Sequence, residues 1–246
     1  MESGLTGRIP KVSEVAKHKL QRFYEISQFS NVIQPDYRES LQNDHSLKGN
    51  WNKDYFFNNS PIVLELGCGK GEYSVGLARR FPEKNFIGID IKGARIWRGA
   101  RTAIEEKLAN VGFLRTHIEL INRFFSEGEV KEIWITFPDP QEKSRRAKKR
   151  LTSSRFLESY RRFLAKDGVI SLKTDNELLF KYTLALVKEN NFRIFAETED
   201  LYNSAIEGMA YDIRTHYEQI FLTEGKRIFY LKFSISSDEE IREPRE

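Results

Sequence analysis

An aspartate wedged between two prolines runs straight into a block of positive charge in FPDPQEKSRRAKKRL, residues 137–151. Each proline fixes its own φ and disfavours helix in the residue before it. Pro138 and Pro140 are therefore expected to hold Asp139 in a stiff, extended loop, as a preorganised catalytic carboxylate; the bland alternative is a rigid turn with a solvated Asp. Lys143, Arg145, Arg146, Lys148, Lys149 and Arg150 then place six cations in eight residues. Such a segment suits a nucleic-acid backbone, because Lys and Arg that neutralise phosphates gain affinity by releasing counterions. A carboxylate beside it points to guanine, whose Watson–Crick edge offers two adjacent N–H donors.

A second chemical stretch is ELGCGKGEYSVGLARRF, where Gly67, Gly69 and Gly71 lead into an amphipathic segment. Glycines there allow a tight turn and a close approach of backbone to a ligand. A P-loop requires Gly-Lys followed by Ser or Thr, but Lys70 is followed by Gly71. A dinucleotide fingerprint puts its third glycine where this chain has Glu72, whose charge opposes a pyrophosphate at a helix N-terminus. The remaining pattern, E-x-G-x-G-x-G with Glu65 two residues before Gly67, resembles the loop of Rossmann-like S-adenosylmethionine-dependent methyltransferases. Their cofactor is cationic and carries no phosphate, so an acid beside the loop offsets its charge. Asp90 stands 19 residues after Gly71, placed for a carboxylate to accept from two ribose hydroxyls.

These residues need a frame. The runs at 62–66, 86–91, 111–116, 132–137 and 169–174 read as short buried strands separated by helical segments. That alternation predicts an α/β Rossmann-like fold: a mostly parallel seven-stranded sheet, covered on both faces, with ligands beyond the carboxyl ends of its strands. EQIFLTEGKRIFYLKFSI reads as strand, Gly-containing turn, strand, and predicts an antiparallel C-terminal hairpin. Residues 1–60 are read as a basic N-terminal arm, with Val12, Val15, Ala16, Leu20 and Phe23 at helical spacing, followed by a lid-like loop holding Trp51, Tyr55, Phe56 and Phe57. Residues 61–235 are read as the expected methyltransferase domain and 236–246 as an acidic flexible tail.

The chain of 246 residues carries a net +4, but its last nine residues hold five acids and two bases, which leaves about +7 on the remainder. Cys68 is the only cysteine, so a disulfide framework is excluded. The four histidines, at 18, 45, 117 and 216, lack metal-ligand spacing, and no metal is expected. Without a membrane-length apolar run or a signal peptide's apolar stretch, the expected location is cytoplasmic, with no membrane partner. Monomer and homodimer both stay open.

FPDPQEKSRRAKKRLT, LKTDNELLF and RTHYEQIF, in this order, resemble the bacterial tRNA (guanine-N7)-methyltransferase family across about Ile62 to Phe233. The resemblance implies transfer of methyl from S-adenosylmethionine to N7 of a guanine in the variable loop of tRNA. It implies cofactor contacts at Glu65, Asp90, His117 and Asp139, beside Gly67, Gly69 and Gly71. It implies substrate contacts at Lys143, Asp175 and the tetrapeptide Thr215, His216, Tyr217, Glu218, with Arg146 among the neighbouring cations. Asp175 is alternatively the cap of a helix starting near Asn176. The chain departs from the family in having RTHIE after strand three, where an acid or Asn is common, and Gln141 after FPDP, where Trp is common. Rival readings are a related methyltransferase acting on an exocyclic amine, whose usual Asn/Asp-Pro-Pro-aromatic signature FPDP does not match, and a non-catalytic RNA-binding protein with a retained cofactor pocket.

Overall fold

The alternating runs assemble into one eight-stranded sheet with helices on both faces, in a computed structural model that describes residues 20–235 and 239–244. The strands are β1 (Val32–Ile33), β2 (Ile62–Leu66), β3 (Asn85–Asp90), β4 (Val111–Arg115), β5 (Val130–Thr136), β6 (Leu164–Thr174), β7 (Arg193–Thr198) and β8 (Phe229–Ser234). Their order is β1-β4-β3-β2-β5-β6-β8-β7, and only β8 runs against its neighbours. The two-residue β1 extends the expected sheet at one edge. Because β2 pairs with β3 on one side and β5 on the other, the strand order reverses there. The loops leaving β2 and β5 therefore open a crevice between them, where ligands of such sheets bind.

Alternate residues of the central strands enter different layers. Leu64, Leu66, Ile87 and Ile89 pack in one core, whereas Val63, Phe86, Tyr73 and Trp134 pack in the other. The helices are α1 (residues 20–26), α2 (Tyr37–Gln42), α3 (Glu72–Arg80), α4 (Gly93–Glu105), α5 (Ser154–Arg161), α6 (Glu177–Glu189), α7 (Met209–Asp212) and α8 (His216–Thr223). Of the helical-spaced residues expected in the N-terminal arm, Leu20 and Phe23 fall in α1; Val12, Val15 and Ala16 lie outside the described residues. Trp97 of α4 ties α1 down by donating to Glu25 at 2.6 Å.

Three expectations need correction. The antiparallel C-terminal pair exists, but its members are β7 and β8, and EQIFLT lies in helix α8. Thr215 caps that helix reciprocally with Glu218, a local signal that outweighs the β propensity of Ile220 and Phe221. The lid-like aromatic segment is foundation instead. Trp51 is fully buried, donates to the Phe124 carbonyl at 2.8 Å and stacks on Phe125, below the amino end of β5. Finally, the described part of the acidic tail, 239–244, is packed rather than loose: Ile241 is buried, and Glu243 reaches α5 and α6.

Candidate active site

Three left-handed glycines shape the loop after β2, with φ of +75° at Gly67, +55° at Gly69 and +69° at Gly71. At Gly71 a Cβ would stand 2.5 Å from Phe113 Cε1, so backbone and aromatic core meet there without room for a side chain. At Gly67 a Cβ would meet only Leu151, at 3.9 Å, and would project into a cleft of about 340 Å3. Gly67, Asp90, His117 and Asp139 share that cleft, with Thr116 and Glu119 beside His117. The stretch after β4 lines this cleft, and the exposed His117 ring rests against Tyr37, with centroids 5.2 Å apart. Asp90 accepts from Gly69 N–H at 3.0 Å and from Lys92 N–H at 2.8 Å, which aims its carboxylate at the glycine turn.

A smaller compartment of about 100 Å3 shares Gly67, Arg95 and Phe137 with the cleft and is also lined by Glu65, Gly69, Thr215 and Tyr217. Glu65 is buried; Oε2 accepts from Ser74 N–H and Oγ, and Oε1 from Thr136 Oγ1 at 2.7 Å. Burial raises its pKa to about 7; the bonds from Ser74 and Thr136 oppose that rise, and nearby Asp90 adds to it.

The Asp139 loop is less extended than the prolines alone predict. Phe137 and Gln141, on either side of it, have φ of +46° and +47°. The chain turns at both, and Gln141 N–H returns to Asp139 Oδ1 at 3.1 Å, leaving Asp139 exposed at the cleft. Lys143 at the N-cap, and Arg145, Arg146, Lys148 and Lys149 on the short helix that follows, are exposed, and Lys149 also lines the cleft. Arg150, read as one more phosphate partner, is buried and bonded to the Pro140 and Gln141 carbonyls. A buried guanidinium serves its own backbone before any ligand.

Of the four residues Thr215–Glu218, Thr215 and Tyr217 line the small compartment, and His216 donates its N–H to Glu72 at 2.8 Å. Glu218 is fully buried and faces inward: Lys173 Nζ approaches at 2.7 Å and Tyr202 OH at 2.6 Å. It props the wall from behind rather than offering a free carboxylate. Lys173, which sequence reasoning missed, is also fully buried and donates to the Ala210 and Ile213 carbonyls. Burial lowers its pKa, and Glu218 opposes that shift. The one signal for it was a cation at an inward position of a buried strand. Asp175 lies in neither compartment; it pairs with Lys226 at 3.5 Å, and Asn176 is the residue that caps α6. Beyond Lys70 and Glu72 a broader groove of about 730 Å3 opens along α3 and α4, with Arg79, Arg98 and Arg214 on its rim. Among the described residues no cluster of His, Cys, Asp and Glu could hold a metal ion.

A nucleoside-sized cleft beyond the carboxyl ends of β2, β3 and β5, with Asp90, Glu119 and Asp139 on its walls beside Lys92, Arg95 and Lys149, stands where a Rossmann-like methyltransferase holds its cofactor. A family model described as "Putative methyltransferase" matches residues 59–231. The chain is 49% identical to the tRNA (guanine-N(7)-)-methyltransferase of Bacteroides fragilis, over 94% of this chain and 90% of that one. It is 53% identical to the protein of the same name from Christiangramia forsetii, over 89% and 99%. Among solved structures, 16S rRNA methyltransferase KamB superposes with a TM-score of 0.59 at 14% identity, covering 80% of this chain and 96% of that one, a likeness of fold alone. The chain belongs to the tRNA (guanine-N7)-methyltransferase family.

Proposed function

We propose that the chain transfers the methyl group of S-adenosylmethionine to N7 of a guanine in the variable loop of tRNA. The observation that carries this is a pair of carboxylate-bearing compartments that share Gly67, Arg95 and Phe137, the larger one lined by Lys149 of the exposed cationic segment. The residues fit the cofactor. Asp90 takes the ribose hydroxyls, Gly67 and Gly69 leave room for its chain, and Glu65 faces its cationic end. Asp139 and His117 complete the lining of the cleft. When bound, S-adenosylmethionine supplies an electrophilic methyl on a sulfonium.

Guanine N7 has a lone pair and no proton, so no residue has to act as a general base. The work left to the protein is alignment and charge compensation. Asp139 keeps one oxygen on Gln141 N–H and turns the other toward the positive charge that develops on the purine. Thr215 and Tyr217 wall the place where a splayed base enters, and Asp175 grips its edge after release from Lys226. Lys143, Arg145, Arg146, Lys148 and Lys149 clamp the sugar-phosphate chain.

Incubation with unmodified tRNA and labelled cofactor, followed by reduction and aniline treatment, is expected to break the strand in the variable loop. Absence of cleavage, with label incorporated elsewhere, overturns the assignment of base and atom. Replacing Lys143, Arg145 and Arg146 by Gln is expected to weaken tRNA binding about tenfold or more at moderate salt. The salt dependence of log K should flatten by roughly one unit per lost phosphate contact. An unchanged slope removes those residues from the RNA interface.

A further inference from the structure

The cationic segment ends in a residue that RNA does not reach. Arg150 is only 5% exposed; Nε donates to the Pro140 carbonyl and Nη2 to the Gln141 carbonyl, each at 3.2 Å. Its guanidinium also lies 4.3 Å from the centroid of the Tyr182 ring. A planar guanidinium satisfies two carbonyls while stacking on a ring, which an ammonium cannot do. Those carbonyls border the turn in which Gln141 returns its N–H to Asp139. Gln141 is left-handed there, and such a strained non-glycine conformation persists only where its surroundings hold it.

What imposes it leads to the far end of the chain. Tyr182 OH donates to Glu243 Oε2, and Glu243 Oε1 accepts from Ser154 N–H at 3.0 Å and Ser154 Oγ at 2.8 Å. Ser154 opens α5, whose own N-cap, Ser153, makes no side-chain cap bond. Glu243 therefore brings a carboxylate to a helix start that lacks one. The segment is fastened on the approach to Glu243: Ile241 is buried with its N–H on Glu158 at 2.8 Å, and Arg242 exchanges backbone bonds with the Asn190 side chain at 2.7 and 2.8 Å.

We propose that residues 239–244 form a clasp that positions Asp139. Glu243 fixes Tyr182 and the start of α5, Tyr182 fixes the guanidinium of Arg150, and Arg150 fixes the Asp139 loop. None of Glu243, Tyr182 and Arg150 lines the cofactor cleft, so all three are positioning residues. The kinetic consequence rests on the role given to Asp139 above; the mechanical coupling does not.

The test uses the full chain with Glu243→Ala, Tyr182→Phe and Glu243→Gln. Amide exchange at Gln141, read in the free protein, is expected to quicken about tenfold in Glu243→Ala and Tyr182→Phe. It should stay near wild type in Glu243→Gln, which keeps the size and an acceptor oxygen. Glu243→Ala is further expected to weaken S-adenosylmethionine binding several-fold in the wild-type background and to add nothing in an Asp139→Ala background. Unchanged exchange at Gln141, or an equal loss of affinity in both backgrounds, overturns the clasp. A wild-type protein with no affinity for S-adenosylmethionine sinks the proposed function instead, and the exchange measurement then decides the clasp alone.

Discussion

Asp139→Ala is expected to slow methyl transfer by about 10²- to 10³-fold in single-turnover assays while changing tRNA affinity by less than about threefold. The split follows from where the side chain sits. Asp139 faces the cleft that holds Asp90 and His117, whereas of the exposed cations from Lys143 onward only Lys149 lines that cleft and Lys143, Arg145, Arg146 and Lys148 do not. Neutral guanine becomes cationic as N7 attacks, so a fixed carboxylate stabilises the transition state more than the ground state, and that difference appears in rate instead of binding. Asp139→Asn separates charge from shape. The amide oxygen still accepts from Gln141, so the loop persists, yet most of the rate should be lost. Equal turnover of Asn variant and wild type would show that loop geometry suffices and that charge compensation comes from elsewhere.

Much of this site was legible in the residues because a parallel sheet buried on both faces writes its strands as short apolar runs, and ligands collect where its order reverses. The glycine loop, Asp90 and Asp139 follow from that logic. Side chains whose roles depend on distant partners were not legible. Arg150 looks like its cationic neighbours until Tyr182 and the Pro140 carbonyl are seen around it. Glu218 looks like a ligand contact until Lys173 and Tyr202 occupy it. The helix at EQIFLT did leave a local trace: Thr215 followed three residues later by Glu218 is the spacing of a capping box, and it outranked the Ile-Phe-Leu run read as strand. Trp51 and Phe56 gave no trace of which end of the sheet they would close, since aromatic residues in a polar stretch suit a lid and a base equally well.

The other large effect concerns Glu65, where stability and function should move in opposite directions. Its folded pKa is raised from 4.5 to about 7 by burial, so the free folded protein binds an extra proton between those values and loses stability as pH rises through that window. By pH 8 the loss is complete and amounts to about 3 kcal/mol. Glu65→Gln keeps the acceptor for Ser74 and can donate to Thr136 Oγ1 without burying a charge. In the absence of ligand it is therefore expected to unfold at higher denaturant concentration than wild type at pH 8, and at nearly the same concentration at pH 4.5. Binding of the cationic cofactor should offset much of that advantage. Losing the charge-assisted contact costs about 1.5–3 kcal/mol, or roughly ten- to hundred-fold in Kd. Wild-type affinity should weaken as pH falls through 7 and the carboxylate protonates, whereas the Gln variant should show no such step. A variant less stable than wild type at pH 8 and also weaker in binding would mean that Glu65 serves the fold alone. Opposite movements would identify a charge that the fold tolerates at a cost because the ligand requires it.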